Sequence, residues 1–334
     1  LLGHDELKSM GVKVNIYSYD TENSQKKTRE ILELPELQHM DLIYGPLYPN
    51  PVLLANQFSF DYKINMFNPL SSNQQVVGNN PHAFLYMSTP ETQGQRCAEY
   101  LLKNLKNKAG IVFYGQDEKD SLLARSFVQT FHAAGDSSIY IKKIEESQTK
   151  RIIDLLTAGA KVELEPGEEG RPSRSGTLFK IPRDSLGFIF VASESPALAS
   201  STITAMETRG DSTLLIGKEG WLQNQVISYE TLERLKAVLI APTFIDYNSN
   251  AYQYFNNIYK EKYNALPTKN ACIGYETILL LGSLLNKYGN HFENEFNGSI
   301  KGSLFRKYTL DRKNTNQYVP LVRFVDAELR LLNP

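Results

Sequence analysis

The chain has little of what catalytic, cross-linked or membrane-spanning proteins depend on. Its 334 residues include two cysteines, Cys97 and Cys272, and one tryptophan. Two thiols so far apart, each inside a helical pattern, fit buried side chains better than a disulfide framework or a metal site. The histidines at His4, His39, His82, His132 and His291 are scattered without ligand spacing. There is no glycine-rich phosphate loop, no nucleophile elbow and no His-Glu pair spaced for a metalloprotease helix. The expectation is therefore no catalytic residue, no metal and no cofactor. An excess of one charge is missing too: 36 basic and 37 acidic residues give a net charge of -1, and nothing calls for nucleic acid. No apolar run approaches the roughly 20 residues of a membrane-spanning helix, so no direct membrane insertion is expected. The start shows neither an initiator Met nor a basic-then-apolar leader, which points to a processed or trimmed end.

Three short motifs carry more promise than content. Ser147-Gln148-Thr149-Lys150 matches Ser-x-x-Lys, but the companion triplets of penicillin-recognising enzymes are missing, and a helix cap is the better reading. Arg209-Gly210-Asp211 falls where a helix hands over to a strand, so Gly210 reads as a helix stop. Asn297-Gly298-Ser299 fits a glycosylation acceptor by chance.

What is present is the material of a folded α/β protein. Hydrophobic residues make up 41% and charged residues 22%, and the length exceeds what one core usually serves, so two domains are expected. Val12 to Tyr19 alternates apolar and polar residues as a strand does. Asp20 to Ser24 supplies turn and cap residues before a helix from Gln25 to Leu34. Leu42 to Tyr44 and Ile64 to Phe67 read as short strands around a helix from Val52 to Tyr62. From Thr89 the rhythm repeats: helix 91–107, strand 110–114, helix 121–134, strand 139–144, helix 149–157, strand 186–192, helix 196–209, strands 213–217 and 237–241, then helices 251–263 and 271–287. Strands alternating with helices of this length imply parallel pairing. Between Ala160 and Asp184 the pattern fails in a loop rich in acids, glycine and arginine, open to a hairpin reading. Ser303 to Thr309 and Tyr318 to Phe324 read as an antiparallel hairpin around Asp311 to Asn316.

Doubly wound sheets bind ligands in the loops at the carboxyl ends of their strands, and three such loops stand out. Gly45 to Pro51 leads into a helix whose exposed amides could hold a carboxylate, or is a rigid proline turn. Asn68-Pro69-Leu70-Ser71-Ser72-Asn73 offers hydroxyls and amides suited to a small polar ligand, or to turn and cap duty. Gly217-Lys218-Glu219-Gly220-Trp221 sets a carboxylate beside the only Trp, a pair able to take an ammonium group.

Taken in order, these pieces resemble a type I periplasmic solute-binding protein of the branched-chain amino acid class. Val14 to Asp20, Leu42 to Leu47, Ile64 to Ser72, Phe84 to Gln95, Phe113 to Gly135, Leu186 to Pro196, Leu215 to Trp221 and Ala271 to Leu281 carry the likeness. It implies two doubly wound parallel-sheet lobes joined by three crossovers. The first lobe is expected over 1–106 plus 242–301, and the second over 107–241 plus 302–334. It also implies that the family's first strand lies ahead of Leu1. A ligand held by hinge closure between lobes would meet Ser71, Ser72, Asn73 and Tyr48 from the first, and Glu219 and Trp221 from the second. Tyr275 would sit near the hinge. The implied role is capture of a small polar solute, such as an amino acid, in the periplasm or cell envelope. Partners would be an ABC permease or another envelope protein. Tyr48-Pro49-Asn50 stands where the family has a serine-rich turn. A second reading is therefore a protein-interaction or cell-wall regulatory module with a degenerate site; the effector domain of a transcription regulator is a third.

Overall fold

A computed structural model of the chain describes residues 1–136, 138–159, 161–164, 175–296, 298–302, 304, 307–310 and 314–333. In chain order the first part comprises helices α1 (Leu2–Ser9) and α2 (Gln25–Leu32), strand β1 (Leu42–Tyr44), α3 (Pro49–Tyr62), β2 (Asn65–Asn68) and β3 (Ala83–Leu85). Next come α4 (Pro90–Asn104), β4 (Gly110–Tyr114), α5 (Glu118–Ala133), β5 (Ile139–Lys143), α6 (Lys150–Thr157), β6 (Lys161–Leu164), β7 (Ser175–Leu178) and β8 (Phe188–Ala192). Then follow α7 (Pro196–Arg209), β9 (Leu214–Lys218), α8 (Tyr229–Arg234), β10 (Val238–Ile240), α9 (Asn250–Tyr263), α10 (Lys269–Tyr288) and α11 (Phe292–Glu295). Strands β11 (Gly298–Lys301), β12 (Lys307–Leu310), β13 (Leu321–Val325) and β14 (Glu328–Leu331) end the chain.

These elements pack as two compact units, one from Leu1–Thr89 and Thr243–Tyr318, the other from Pro90–Pro242 and Val319–Pro334. The division differs from the 106 and 301 edges read from the sequence. Helix α4 goes with the second unit because its Gly94 lies flat on α5: a Cβ there would stand 2.3 Å from the Leu123 carbonyl oxygen. The stretch to Tyr318 goes with the first because Tyr308 is buried among Phe67 and Tyr86.

The second unit is built on a sheet ordered β14-β13-β10-β9-β8-β4-β5. Strands β5, β4, β8, β9 and β10 run parallel, as their helical crossovers require. Strand β8, Phe-Ile-Phe-Val-Ala, is buried at every position, the pattern of a strand covered on both faces. Phe188 packs edge-on and Phe190 tilted against Phe127 of α5, with ring centroids 5.5 and 4.8 Å away.

The first unit contains, among the described residues, a parallel sheet ordered β1-β2-β3 and the antiparallel pair β11-β12. Helix α10 supplies its core from both sides, Leu280, Leu281 and Leu284 toward Phe67 and Phe84, and Cys272 and Leu279 toward Leu7 and Phe255.

Two sequence expectations fail. Val12 to Tyr19 forms no strand. Val12 and Val14 pack on the α10 cluster, but no backbone ladder engages the run, and Ile16 and Tyr17 are exposed. Alternation marks a segment that can be a strand; pairing needs a neighbour's amides. The closing hairpin is also different. Strand β12 pairs with β11, while β13 pairs with β10 and β14. The hairpin turn is Asp326-Ala327, both at positive φ, a geometry that usually calls for Asn or Gly and so leaves no sequence signal here. Much of the expected Asp311 to Asn316 turn lies outside the described residues. Around the failed pattern at 160–184, β6 and β7 pair antiparallel; residues 160 and 165–174, and Asn297, lie outside the described residues.

Candidate solute-binding edges

The parallel strands of each sheet end in polar loops. In the first unit β1 runs into Gly45 and a cis Gly45-Pro46 bond, and β2 ends at Asn68, a residue absent from the expected site. Its side chain organises both loops. Asn68 Oδ1 accepts from the amides of Leu70 and Ser71 at 3.1 and 2.7 Å, and Asn68 Nδ2 donates to the Pro46 carbonyl at 2.7 Å. An Asx turn of this kind fixes the backbone locally. Ser71 Oγ accepts from the Asn73 amide at 3.1 Å, which leaves its own proton to donate. Asn73 is exposed and caps the next turn through the Gln75 amide. Ser72 is half-buried, and Tyr48, exposed, precedes the first turn of α3. Ser71, Ser72, Asn73 and Tyr48 thus lie in loops that follow β1 and β2, with Asn68 joining them. The signal for Asn68 was its place as the last strand residue before a proline.

Tyr275 is elsewhere in the unit. Buried on α10, it donates its hydroxyl to the Glu6 carboxylate of α1 and packs on Phe255, ring centroids 4.4 Å apart. Burial, reinforced by Glu6, holds its phenol far above the ordinary value. Its observed work is to fasten α1 and α9 to α10.

In the second unit the ends of β4, β8 and β9 bring together Asp120, Ser193, Glu194 and Lys218. Asp120, in the first turn of α5, is 6% exposed. Burial raises its carboxyl above the ordinary value, opposed by a hydrogen bond with Ser193 and by the Lys218 charge. Lys218 Nζ lies 3.3 Å from Glu194 Oε1; the lysine side chain is 12% exposed and the glutamate 58%. Glu219 follows, half-buried, at the start of a 3₁₀ turn. Trp221 is fully buried beneath this edge, its indole N–H donating to the Ser193 carbonyl at 3.0 Å. It supports the loop from below, whereas Glu219 stands within it. Sequence reading named Glu219 and Trp221 and did not name Asp120, Ser193 and Glu194, which come from two other segments and share no local motif with them.

The adhesion-like tripeptide is closed off. Arg209 is fully buried, bonded to Asp211 and to the carbonyls of Leu156, Ile181 and Pro182; Gly210 caps α7 in the left-handed region. Both cysteines are buried and neither is in a disulfide. Burial pushes the Cys97 thiol up from its ordinary value. Among the described residues no group of three or more His, Cys, Asp or Glu could hold a metal ion, and no helix is long and apolar enough to cross a membrane.

No family model and no curated relative matches the chain. Solved structures do. A putative branched-chain amino acid ABC transporter protein from Rhodospirillum rubrum is 13% identical with a TM-score of 0.74, over 99% of this chain and 92% of its own. An ABC transporter substrate-binding protein from Desulfitobacterium hafniense is 17% identical with a TM-score of 0.66, over 99% and 93%. A solute-binding protein of an ABC transporter from R. palustris, in complex with benzoate, is 14% identical with a TM-score of 0.55, over 99% and 89%. At such identities the likeness is one of fold, and it extends over nearly the whole chain: this protein has the type I periplasmic binding protein fold.

Proposed function

We propose that the protein binds a small polar solute reversibly at polar loops that follow its parallel strands, and performs no chemistry on it. The observation that carries this reading is the pair of pre-organised polar edges: Asn68 with Ser71 and Ser72 in one unit, and Ser193, Glu194, Lys218 and Glu219 in the other. The first offers hydroxyl and amide donors to a carboxylate. The second is predominantly acidic and suits an ammonium group, with Glu219 as its acceptor. Amino acids and related compounds are the first candidates. Delivery to an ABC permease in the periplasm or cell envelope is the use that the fold's named relatives support.

The test is a thermal-shift screen against L-amino acids, short peptides, aromatic acids and cell-wall fragments. A bound solute at a hundred times its Kd stabilises the native state by about 2.7 kcal/mol, a rise of several degrees. If no compound moves the melting temperature while pull-downs recover one envelope protein, the interaction-module reading replaces this one.

A further inference from the structure

We infer that Asn68 is a positioning residue that holds the Ser71 hydroxyl ready to donate to a solute's carboxylate. The inference rests on the solute-binding reading above and lies wholly within the first unit. Asn68 closes β2 and is 1% exposed, whereas Leu70 is 38% exposed and Ser71 and Ser72 are half-buried. Both polar atoms of its side chain are engaged in the loops: Oδ1 accepts from the Leu70 and Ser71 amides, and Nδ2 donates to the Pro46 carbonyl. A buried amide group tied at three points is held in place, since breaking any one of these bonds leaves a polar group unsatisfied.

The same bonds decide which donors the loop has left. Ser71 Oγ accepts from the Asn73 amide, and Asn73 Oδ1 from the Gln75 amide. The amides of Leu70, Ser71, Asn73 and Gln75 are thus all turned to side chains of their own segment, and at Ser71 the donor that remains is the hydroxyl proton. A backbone cradle for an anion would use those amides; this segment uses them to set its own shape. Recognition of a carboxylate then falls to a hydroxyl whose residue is fixed from two sides, by Asn68 at the backbone and by the Asn73 amide at the oxygen. With its polar atoms engaged in the loops, Asn68 acts on a solute through Ser71.

Titration calorimetry tests this on the wild-type chain, Asn68→Ala, Ser71→Ala and the double variant, with the melting temperature of each recorded. The probes are L-leucine, L-glutamate and benzoate and, if none of them binds, the carboxylate that most raises the melting temperature in the screen. Asn68→Ala and Ser71→Ala should each weaken the probe bound tightest by wild type about tenfold. The double variant should be no more than about twofold weaker than Ser71→Ala, the non-additivity of two residues that act through one contact. Should Asn68→Ala fail to fold, Asn68→Ser, which can accept the same amides but is too short to reach Pro46, takes its place in the cycle with the same non-additivity expected. A lowered melting temperature with affinity kept within about twofold of wild type, or losses that multiply in the double variant, overturns the positioning role and leaves solute binding standing. Full affinity in Ser71→Ala does the same. Binding confined to compounds without a carboxylate overturns the inference alone, and absence of any response overturns both readings.

Discussion

The two units follow one rule, parallel strands joined by helices, and reach different ends. In the second, β8 is paired on both edges and buried at all five positions. In the first, β1 is an edge strand with half-buried and exposed residues, and the alternating run from Val12 to Tyr19 stays unpaired with Ile16 and Tyr17 at 53% and 59% exposure. The contrast teaches that apolar periodicity sets which face a segment buries, while the ladder depends on a neighbour in register. It also predicts where stability resides: deep in the seven-stranded sheet, and thinly at the β1 edge.

The strongest way to break the comparison is to truncate one apolar side chain in each sheet. Phe190→Ala should cost about 3–5 kcal/mol in denaturant unfolding, whereas Leu42→Ala, at a half-buried edge position, should cost less than about 2 kcal/mol. Equal losses would mean that the two sheets are equally consolidated. Next in size is a pair of glycine substitutions with opposite signs. Gly94→Ala drives a methyl into the α5 backbone and should destabilise by about 1–3 kcal/mol. Gly274→Ala, in α10 with open space around it, should stabilise by up to about 1 kcal/mol. Hydrogen exchange sharpens the contrast at residue level: β1 amides should exchange at least about tenfold faster than those of β8, because edge positions open without global unfolding.

The smallest effect is a pH slope. Asp120 has its proton affinity raised in the folded state, so the native protein binds more protons than the unfolded chain as pH climbs from about 3.8 through the raised value. Stability contributed by that site is present at low pH and lost across this window. Asp120→Asn removes the loss. Its melting temperature relative to wild type should therefore rise as pH is taken from 4 toward 7, and a constant difference would show that Asp120 titrates alike in both states.

Much of this architecture was legible in the residues. Leu186 to Ala192 announced a doubly covered strand through its unbroken apolar run, and Pro196 and Gly210 marked both ends of α7. Those signals are local, and local sterics decide them. Most of the misses come from dependence on distant partners, and one from an atypical turn residue. Val12 to Tyr19 has the right pattern without a ladder, and Asp326-Ala327 turns the chain with a residue that seldom adopts positive φ. Asp120, Ser193 and Lys218 meet only because three strand ends are adjacent in the sheet. Glu219 and Ser71 were named for their places in loops that follow strands, and Tyr275 by analogy of order; in the structure Tyr275 packs between helices.

The most direct test of the central claim is calorimetric titration of the compound that most raises the melting temperature, run on wild type, Ser71→Ala and Glu219→Gln. The account predicts saturable one-to-one binding weakened at least about tenfold by at least one of the two changes, the loss of roughly one charge-assisted hydrogen bond. Full affinity in both variants would contradict it.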